Sequence, residues 1–127
     1  MKVLLVDDDV AIQKLVRVML EGRQHQVFTS DTPYGVSAAI LRHAPDVAIL
    51  DVRMPGLTGP QLAQLIAELP LAQRPMLALW SALDDDSLRA LGTETGLPCI
   101  SKIRGVHHIV DAIEALGKSN GPRQPRR

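Results

Sequence analysis

The sequence predicts an α/β fold in which one parallel β-sheet is covered by helices on both faces. Its 127 residues fit a single domain, because chains of about 100–150 residues commonly form one compact core. Short apolar runs alternate with longer segments of helical periodicity. These runs are continuously apolar, which is typical of parallel strands that are buried on both faces. Together the three observations indicate five consecutive strand–helix units.

The predicted strands are the five apolar runs at residues 3–6, 26–29, 47–50, 76–80 and 99–101. Parallel strands that are joined through helices require right-handed crossover connections. Five such units form a flavodoxin-like, doubly wound sheet with the strand order 2-1-3-4-5. In that topology a ligand binds beyond the carboxyl ends of the strands.

Helices are predicted at residues 10–21, 33–42, 60–69, 86–93 and 106–116. The first and the last show apolar residues at three- and four-residue spacing, which indicates a stripe that faces the core. Asp9 precedes the first helix and is interpreted as its N-cap. Pro33 and Pro60 are placed in the first turns of their helices, where the fixed φ of proline is suitable. Ser30 and Asp31 are interpreted as a cap for the second helix.

Composition and charge exclude several classes of function. Only three residues are aromatic, whereas proteins that bind single-stranded nucleic acid need aromatic side chains for stacking. Residues 118–127 hold four basic and no acidic side chains, which leaves ten basic against 14 acidic residues, a net charge of −4, in residues 1–117. A negatively charged body does not favour the phosphate backbone, so we expect no direct binding of nucleic acid.

We also expect a cytoplasmic protein that makes no membrane contact. No apolar segment reaches the roughly 18–20 residues of a membrane span, and the start of the chain does not resemble a signal peptide. The single cysteine, Cys99, excludes an internal disulfide and suits a reducing compartment. Residues 1–117 are expected to form the domain, and residues 118–127 a basic, disordered tail or the start of a linker.

Polar side chains follow four of the five predicted strands. Asp7 and Asp8 follow the first strand, Asp51 the third, Ser81 the fourth and Lys102 the fifth. Because the carboxyl ends of parallel strands meet at one edge of the sheet, we expect these side chains to lie close together. Carboxylates that converge in this way repel each other unless a cation lies among them.

The residue types at this edge indicate metal-assisted phosphoryl chemistry. Oxygen ligands with no nearby histidine or cysteine favour Mg²⁺ or Mn²⁺ over zinc. A hydroxyl and an ammonium group are suited to hold the oxygens of a phosphoryl group whose charge spreads during transfer. An aspartate carboxylate can itself act as the nucleophile in phosphoryl transfer.

The chain resembles the receiver domain of two-component response regulators, similar to the single-domain chemotaxis type, over residues 1 to about 117. The motifs that carry the resemblance are LLVDD at residues 4–8, ILDVRMPG at 49–56 with Gly59, WSA at 80–82 and SK at 101–102. The resemblance implies that Asp51 is the phospho-acceptor. It also implies that Asp8 and Asp51 bind Mg²⁺ (or Mn²⁺) directly, with the backbone carbonyl of Arg53 as a further ligand. Asp7 would act directly or through water.

The resemblance implies further roles and partners. Ser81 would contact one phosphoryl oxygen and Lys102 another, and the small Ala82 would leave room for the group. The phosphoryl donor would be a histidine kinase or a histidine phosphotransfer protein. A downstream protein would bind the face formed by the fourth helix, the fifth strand and the fifth helix, and a homodimer is compatible with the sequence. The chain would accept phosphate and would not be a turnover enzyme.

Two positions depart from the family pattern. Family members usually have a proline after the lysine, often with a cis peptide bond, whereas Ile103 follows Lys102 here. Because a cis bond before a residue other than proline costs about 3 kcal/mol, we expect a trans bond and a reshaped loop. Cys99 stands where the family usually has tyrosine or phenylalanine, so a switch based on rotation of that ring cannot operate here.

Two alternative functions stay open. The first is a pseudo-receiver, a constitutive interaction module that keeps the fold but no longer switches, and Cys99 and Ile103 motivate it. The second is a small aspartyl-phosphate hydrolase, because Asp7 and Asp9 match the spacing of its acidic motif. Ala11 stands where that motif needs threonine or valine. A hydrolase would be labelled on Asp7 and a receiver on Asp51.

Overall fold

The computed structural model describes residues 1–120, with side chains to residue 118, and contains one five-stranded parallel sheet. The strands lie in the order β2-β1-β3-β4-β5, which confirms the order predicted from the sequence. The strands are β1 (Lys2–Val6), β2 (Gln26–Ser30), β3 (Val47–Asp51), β4 (Met76–Ser81) and β5 (Cys99–Ser101). The helices are α1 (Val10–Gly22), α2 (Val36–His43), α3 (Gly59–Ala67), α4 (Asp85–Thr95) and α5 (Val106–Asn120).

Two functional candidates lie inside strands that were predicted to end just before them. Asp51 is the last residue of β3, where it pairs in register with Trp80. Ser81 is the last residue of β4 and pairs with Ser101 of β5. The prediction placed both residues after their strands, because a polar side chain ended each apolar run. Hydrogen bonding to the neighbouring strand extends each ladder by one residue.

The predicted start of the second helix was wrong. Residues 31–35 form bends and a turn, and α2 begins at Val36 after Gly35, whose φ is +83°. The Ser30 hydroxyl donates to the carbonyl of Thr32 and does not cap the helix. Pro33 is buried in this turn. A positive φ at Gly35 is incompatible with a continuous helix from Pro33, so the turn and not the proline sets the boundary.

Other helix ends follow local hydrogen bonding. Asp9 caps α1 through its side chain, as predicted. Thr58 and Gln61 form a capping box at the start of α3, with proline in its first turn. Helix α3 ends at Ala67 and not at the predicted residue 69, because the next two N–H groups donate to carbonyls three residues back. The Arg74 guanidinium donates to the carbonyls of Ile66 and Ala67.

The remaining helix ends differ from prediction by one to four residues. Helix α4 spans Asp85–Thr95 where residues 86–93 were predicted, because Asp84 caps its start and Gly96 ends it. Helix α5 continues to Asn120, past the predicted end at residue 116 and the predicted domain boundary at 117. Residues 121–127 of the predicted tail lie outside the described residues. No helix within residues 1–120 is long and apolar enough to cross a membrane.

Two apolar cores lie on opposite faces of the sheet. The first core packs β-strand residues against α1 and α5, and the second packs the alternate strand residues against α2 and α3. Each strand contributes to both cores because successive side chains point to opposite faces. The continuously apolar strands of the sequence are thereby explained. Trp80 is fully buried in the first core.

Candidate functional site

The candidate site lies at the carboxyl edge of the sheet, on the face that α1 and α5 cover. Asp7, Asp51 and Lys102 each stand two positions after a residue of the first core. Because side chains alternate along a strand, all three point to that same face. The site therefore continues the first core at the point where apolar side chains give way to charged ones.

Lys102 joins the two buried carboxylates. Its Nζ lies 2.5 Å from Asp7 Oδ2 and 3.3 Å from Asp51 Oδ1. The Lys102 side chain is only 12% exposed, and Asp7 is fully buried. Charges that are removed from water in this way are tolerated only when they are paired. The ammonium is thus the counter-ion of the site within the described residues.

Three carboxylates converge beside this ion pair. Asp7, Asp8 and Asp51 each offer an oxygen, and these atoms lie within 4.8 Å of one another. Asp8 is exposed and stands at the mouth of the site, whereas the other two are buried. Within residues 1–120, no donor reaches Asp7 Oδ2 with hydrogen-bond geometry, so its contact with Lys102 is an ion pair only. An enclosed oxygen in an all-oxygen donor set fits a hard divalent cation such as Mg²⁺.

The electrostatics of Asp51 favour an added positive charge. Burial, the largest cause, and the neighbouring Asp7 carboxyl raise the pKa of Asp51, whereas the positive charge of Lys102 lowers it. The net result is a pKa of about 7. Near neutral pH, burial therefore opposes full ionisation of Asp51 even though Lys102 lies beside it. A divalent cation would favour the ionised form of Asp51.

The loop after β3 keeps its backbone close to Asp51. The Arg53 N–H donates to Asp51 Oδ1 at 3.5 Å, and the Arg53 side chain is exposed. A Cβ atom at Gly59 would lie 2.5 Å from the Asp51 carbonyl oxygen, so this position requires glycine. The start of α3 therefore approaches the acceptor strand closely. The predicted role of the Arg53 carbonyl as a metal ligand stays a prediction.

Ser81 and Lys102 belong to neighbouring strand ends. The Ser81 carbonyl accepts a hydrogen bond of 2.8 Å from the Lys102 N–H, and its hydroxyl accepts one from Leu83 N at 3.1 Å. Ser81 is 6% exposed, and the following Ala82 is exposed. The hydroxyl proton can still be donated to an incoming oxygen. The roles that the resemblance assigned to Ser81, Lys102 and Ala82 stay predictions.

The two departures from the family pattern shape the region after the site. The bond between Lys102 and Ile103 is trans, and Ile103 is 66% exposed. Ser101 accepts a hydrogen bond from the Ile103 N–H, which holds this loop without a proline. Cys99 is partly buried and borders a groove of about 410 Å³ between α4 and α5, which Gly92 and His108 also line.

Gln13 supports the site and was missed in the sequence. It is buried, and its side-chain Nε2 lies 3.3 Å from the carbonyl oxygens of Leu5 and Asp7 and 2.8 Å from that of Ser30. One amide thus holds the ends of β1 and β2 together beside the acidic residues. The available signal was its spacing: it stands three residues before a buried position of α1, on the core-facing stripe.

Comparison with known proteins identifies the family. The family model for the response regulator receiver domain matches residues 3–114. The chain belongs to the response regulator receiver domain family. The resemblance seen in the sequence is thereby confirmed.

Individual relatives agree with this assignment. The transcriptional regulatory protein KdpE of Mycobacterium tuberculosis is 40% identical over 57 residues, which are 45% of this chain and 25% of KdpE. The phosphate regulon regulatory protein PhoB of Pseudomonas aeruginosa is 25% identical over 121 residues, 94% of this chain and 53% of PhoB. The matched segments thus span about a quarter of KdpE and about half of PhoB.

The solved structure of the Francisella response regulator 1452 receiver domain has the same fold. It superposes with a TM-score of 0.80 at 22% identity, covering 94% of this chain and 98% of the Francisella chain. At that identity the similarity concerns the fold. The five parallel strands in the order 2-1-3-4-5 are therefore the receiver architecture.

Proposed function

We propose that this receiver domain accepts a phosphoryl group on Asp51 in a Mg²⁺-dependent reaction and thereby changes its binding to a partner protein. The observation that carries the proposal is the convergence of Asp51 with a counter-ion and two further carboxylates. Lys102 Nζ lies 3.3 Å from Asp51 Oδ1, and Asp7 and Asp8 lie beside them. A nucleophilic carboxylate, a cation for the phosphoryl oxygens and ligands for a metal are thus present at one edge.

The donor would be a phosphohistidine of a histidine kinase or a histidine phosphotransfer protein. An Asp51 carboxylate oxygen attacks phosphorus, the O–P bond forms as the P–N bond breaks, and the histidine nitrogen leaves with the electron pair. Lys102 holds one phosphoryl oxygen, and the Ser81 hydroxyl donates to another. Asp7, Asp8 and the Arg53 carbonyl, with Asp51, would hold Mg²⁺, which neutralises phosphoryl charge. Receiver domains of response regulators interact with histidine kinases and downstream effectors, which is why these partners are proposed.

Phosphorylation would change the group that is paired with Lys102, and this change would alter binding to a partner protein. In the structure Lys102 is engaged by two carboxylates, whereas a phosphorylated Asp51 would offer it a phosphoryl oxygen instead. Such a change stabilises one arrangement of the loops after β4 and β5 over another. The face formed by α4, β5 and α5 adjoins these loops, so a downstream protein would bind there.

The experiment is phosphorylation by acetyl phosphate with and without Mg²⁺, followed by intact mass and by mapping of the modified residue. We expect one acyl phosphate on Asp51, cleaved by alkali and by hydroxylamine, that requires Mg²⁺ and is lost in Asp51→Asn. Asp9→Asn is the matched control, because it removes a neighbouring acidic group while asparagine still caps α1. It should be phosphorylated like the wild type.

Two other results would redirect the proposal. A label on Asp7 with turnover of the phosphodonor would indicate the aspartyl-phosphate hydrolase. Mg²⁺ binding without any phosphorylation, including with beryllofluoride as a stand-in for the phosphoryl group, would indicate the pseudo-receiver. Absence of both metal binding and labelling would contradict a phospho-acceptor function altogether.

A further inference from the structure

Trp80 lies directly beside the charged row of the site, although it belongs to the apolar core. It pairs in register with Asp51, and neighbouring residues in register point to the same face of a sheet. Its side chain therefore lies on the same face as Asp7, Asp51 and Lys102. It is fully buried in the first core and is the one tryptophan of the chain.

The Trp80 indole is hydrogen-bonded to the end of β1. Its Nε1–H donates a buried hydrogen bond of 3.1 Å to the carbonyl of Val6, the last residue of β1. In the strand order, β3 separates β4 from β1, so the indole extends beneath β3 to reach that carbonyl. Val6 directly precedes the two aspartates at the end of β1. The hydrogen bond thus fixes the backbone from which Asp7 and Asp8 begin.

The ring also lies beneath the lysine. Lys102 Nζ is 5.0 Å from the centroid of the Trp80 ring, within the range of a cation–π contact. Lys102 follows β5, whereas Asp51 ends β3 and Asp7 follows β1, so its ammonium must pass over β4 to reach them. Adjacent strands lie about 4.8 Å apart, and the Trp80 ring occupies the surface that the ammonium crosses.

We propose that Trp80 is a positioning residue of the phospho-acceptor site, acting through Lys102 and through the end of β1. The ring holds the ammonium over β4, at the height of the carboxylates, and the indole N–H holds the start of the acidic loop. A large aliphatic residue would fill the core volume but would offer neither interaction. The functional part of this inference rests on the proposed function of Asp51, whereas the contact between Trp80 and Lys102 does not.

The first test measures the contact alone, without metal or phosphodonor. Trp80 emission and the Nε1–H resonance are recorded for the wild type, Lys102→Met and Lys102→Arg. Arg104→Met is the control, because Arg104 carries a nearby positive charge that pairs with Asp85. We expect both signals to shift in Lys102→Met, to return towards the wild type in Lys102→Arg, and to stay unchanged in the control. Unchanged signals in Lys102→Met would overturn the proposal.

The second test asks whether Trp80 acts through Lys102. Affinity for beryllofluoride in Mg²⁺ is measured from backbone amide shifts in Trp80→Met and Trp80→Phe, each with and without Lys102→Met. We expect Trp80→Met to weaken binding about fivefold when Lys102 is present and Trp80→Phe to weaken it less because it keeps a ring. In the Lys102→Met background both losses should be smaller, because only the hydrogen bond to the Val6 carbonyl is then removed.

The outcomes of the two tests are distinct. Equal losses in both backgrounds would mean that Trp80 does not act through Lys102, which overturns the proposal. A wild type that does not respond to beryllofluoride would contradict the proposed function, and the first test would then decide the contact by itself. If the amide spectrum of Trp80→Met is not that of a folded protein, the comparison of Trp80→Phe with and without Lys102→Met decides the second test.

Discussion

At the scale of single residues, Lys102 and Asp51 define the charge balance of the site. The ammonium contacts two buried carboxylates that come from different strands. Each partner is costly to bury alone, so the three groups depend on one another. Burial, together with the neighbouring Asp7 carboxyl, raises the pKa of Asp51 although the Lys102 ammonium lies beside it.

Asp51→Asn is expected to stabilise the metal-free protein in a pH-dependent way. The pKa of Asp51 is raised to about 7 in the folded state, so its contribution to stability is present below the unfolded-state pKa and is lost as pH rises through 7. Asparagine does not ionise and avoids this loss. In chelator, we expect the variant to gain about 1–3 kcal/mol of unfolding free energy at pH 8 and much less at pH 5.

Urea denaturation at the two pH values measures this difference. Asp86→Asn is a suitable control, since the Asp86 side chain is 93% exposed and remote from the cluster. Equal effects of Asp51→Asn at pH 5 and pH 8 would contradict the assigned cause, because a neutral substitution effect does not depend on ionisation.

At the scale of elements, the site depends on the close approach of the start of α3 to the end of β3. The capping box of Thr58 and Gln61 starts α3 immediately beside the end of β3. Gly59 permits this approach, because a Cβ atom there would meet the Asp51 carbonyl. Gly92, on α4, has room for a methyl group: its nearest neighbours would lie at 3.5 and 3.7 Å.

The same glycine-to-alanine change is therefore expected to have opposite effects at these two positions. Gly59→Ala should lower the free energy of unfolding by about 1–3 kcal/mol, because α3 must move away from β3. Gly92→Ala should raise it by about 0.5–1 kcal/mol, because alanine favours the helix and fits the space. Thermal and urea unfolding of both variants measure the signs. A stabilised Gly59→Ala variant would contradict the described contact.

At the scale of the whole molecule, one sheet separates two apolar cores and carries its charged groups at a single edge. The first core lies under the site and includes Trp80 and the buried side of α5. The site is thus continuous with the packing that positions α5. The Trp80 ring brings this core into contact with the Lys102 ammonium.

Added Mg²⁺ is expected to stabilise the folded protein as a whole, because a ligand that binds only the folded state raises its stability. At ten times its dissociation constant, the gain should be about 1.4 kcal/mol, seen as a higher Tm. The gain should be strongly reduced in Asp51→Asn and retained in Asp9→Asn. A similar gain in both variants would indicate that the ion binds outside the cluster of Asp7, Asp8 and Asp51.

The sequence by itself determined the strand positions, the strand order and which polar residues stand at the strand ends. These features depend on local patterns: apolar runs, helical spacing and the residue that follows each run. The tertiary structure decided the start of α2 at Val36, the role of Gln13, the position of Trp80 beneath Lys102 and the pKa of Asp51. The role of Gln13, the position of Trp80 and the pKa of Asp51 depend on burial and on contacts between residues that are far apart in the chain. The start of α2 depends on the positive φ of Gly35, which the proline pattern did not indicate.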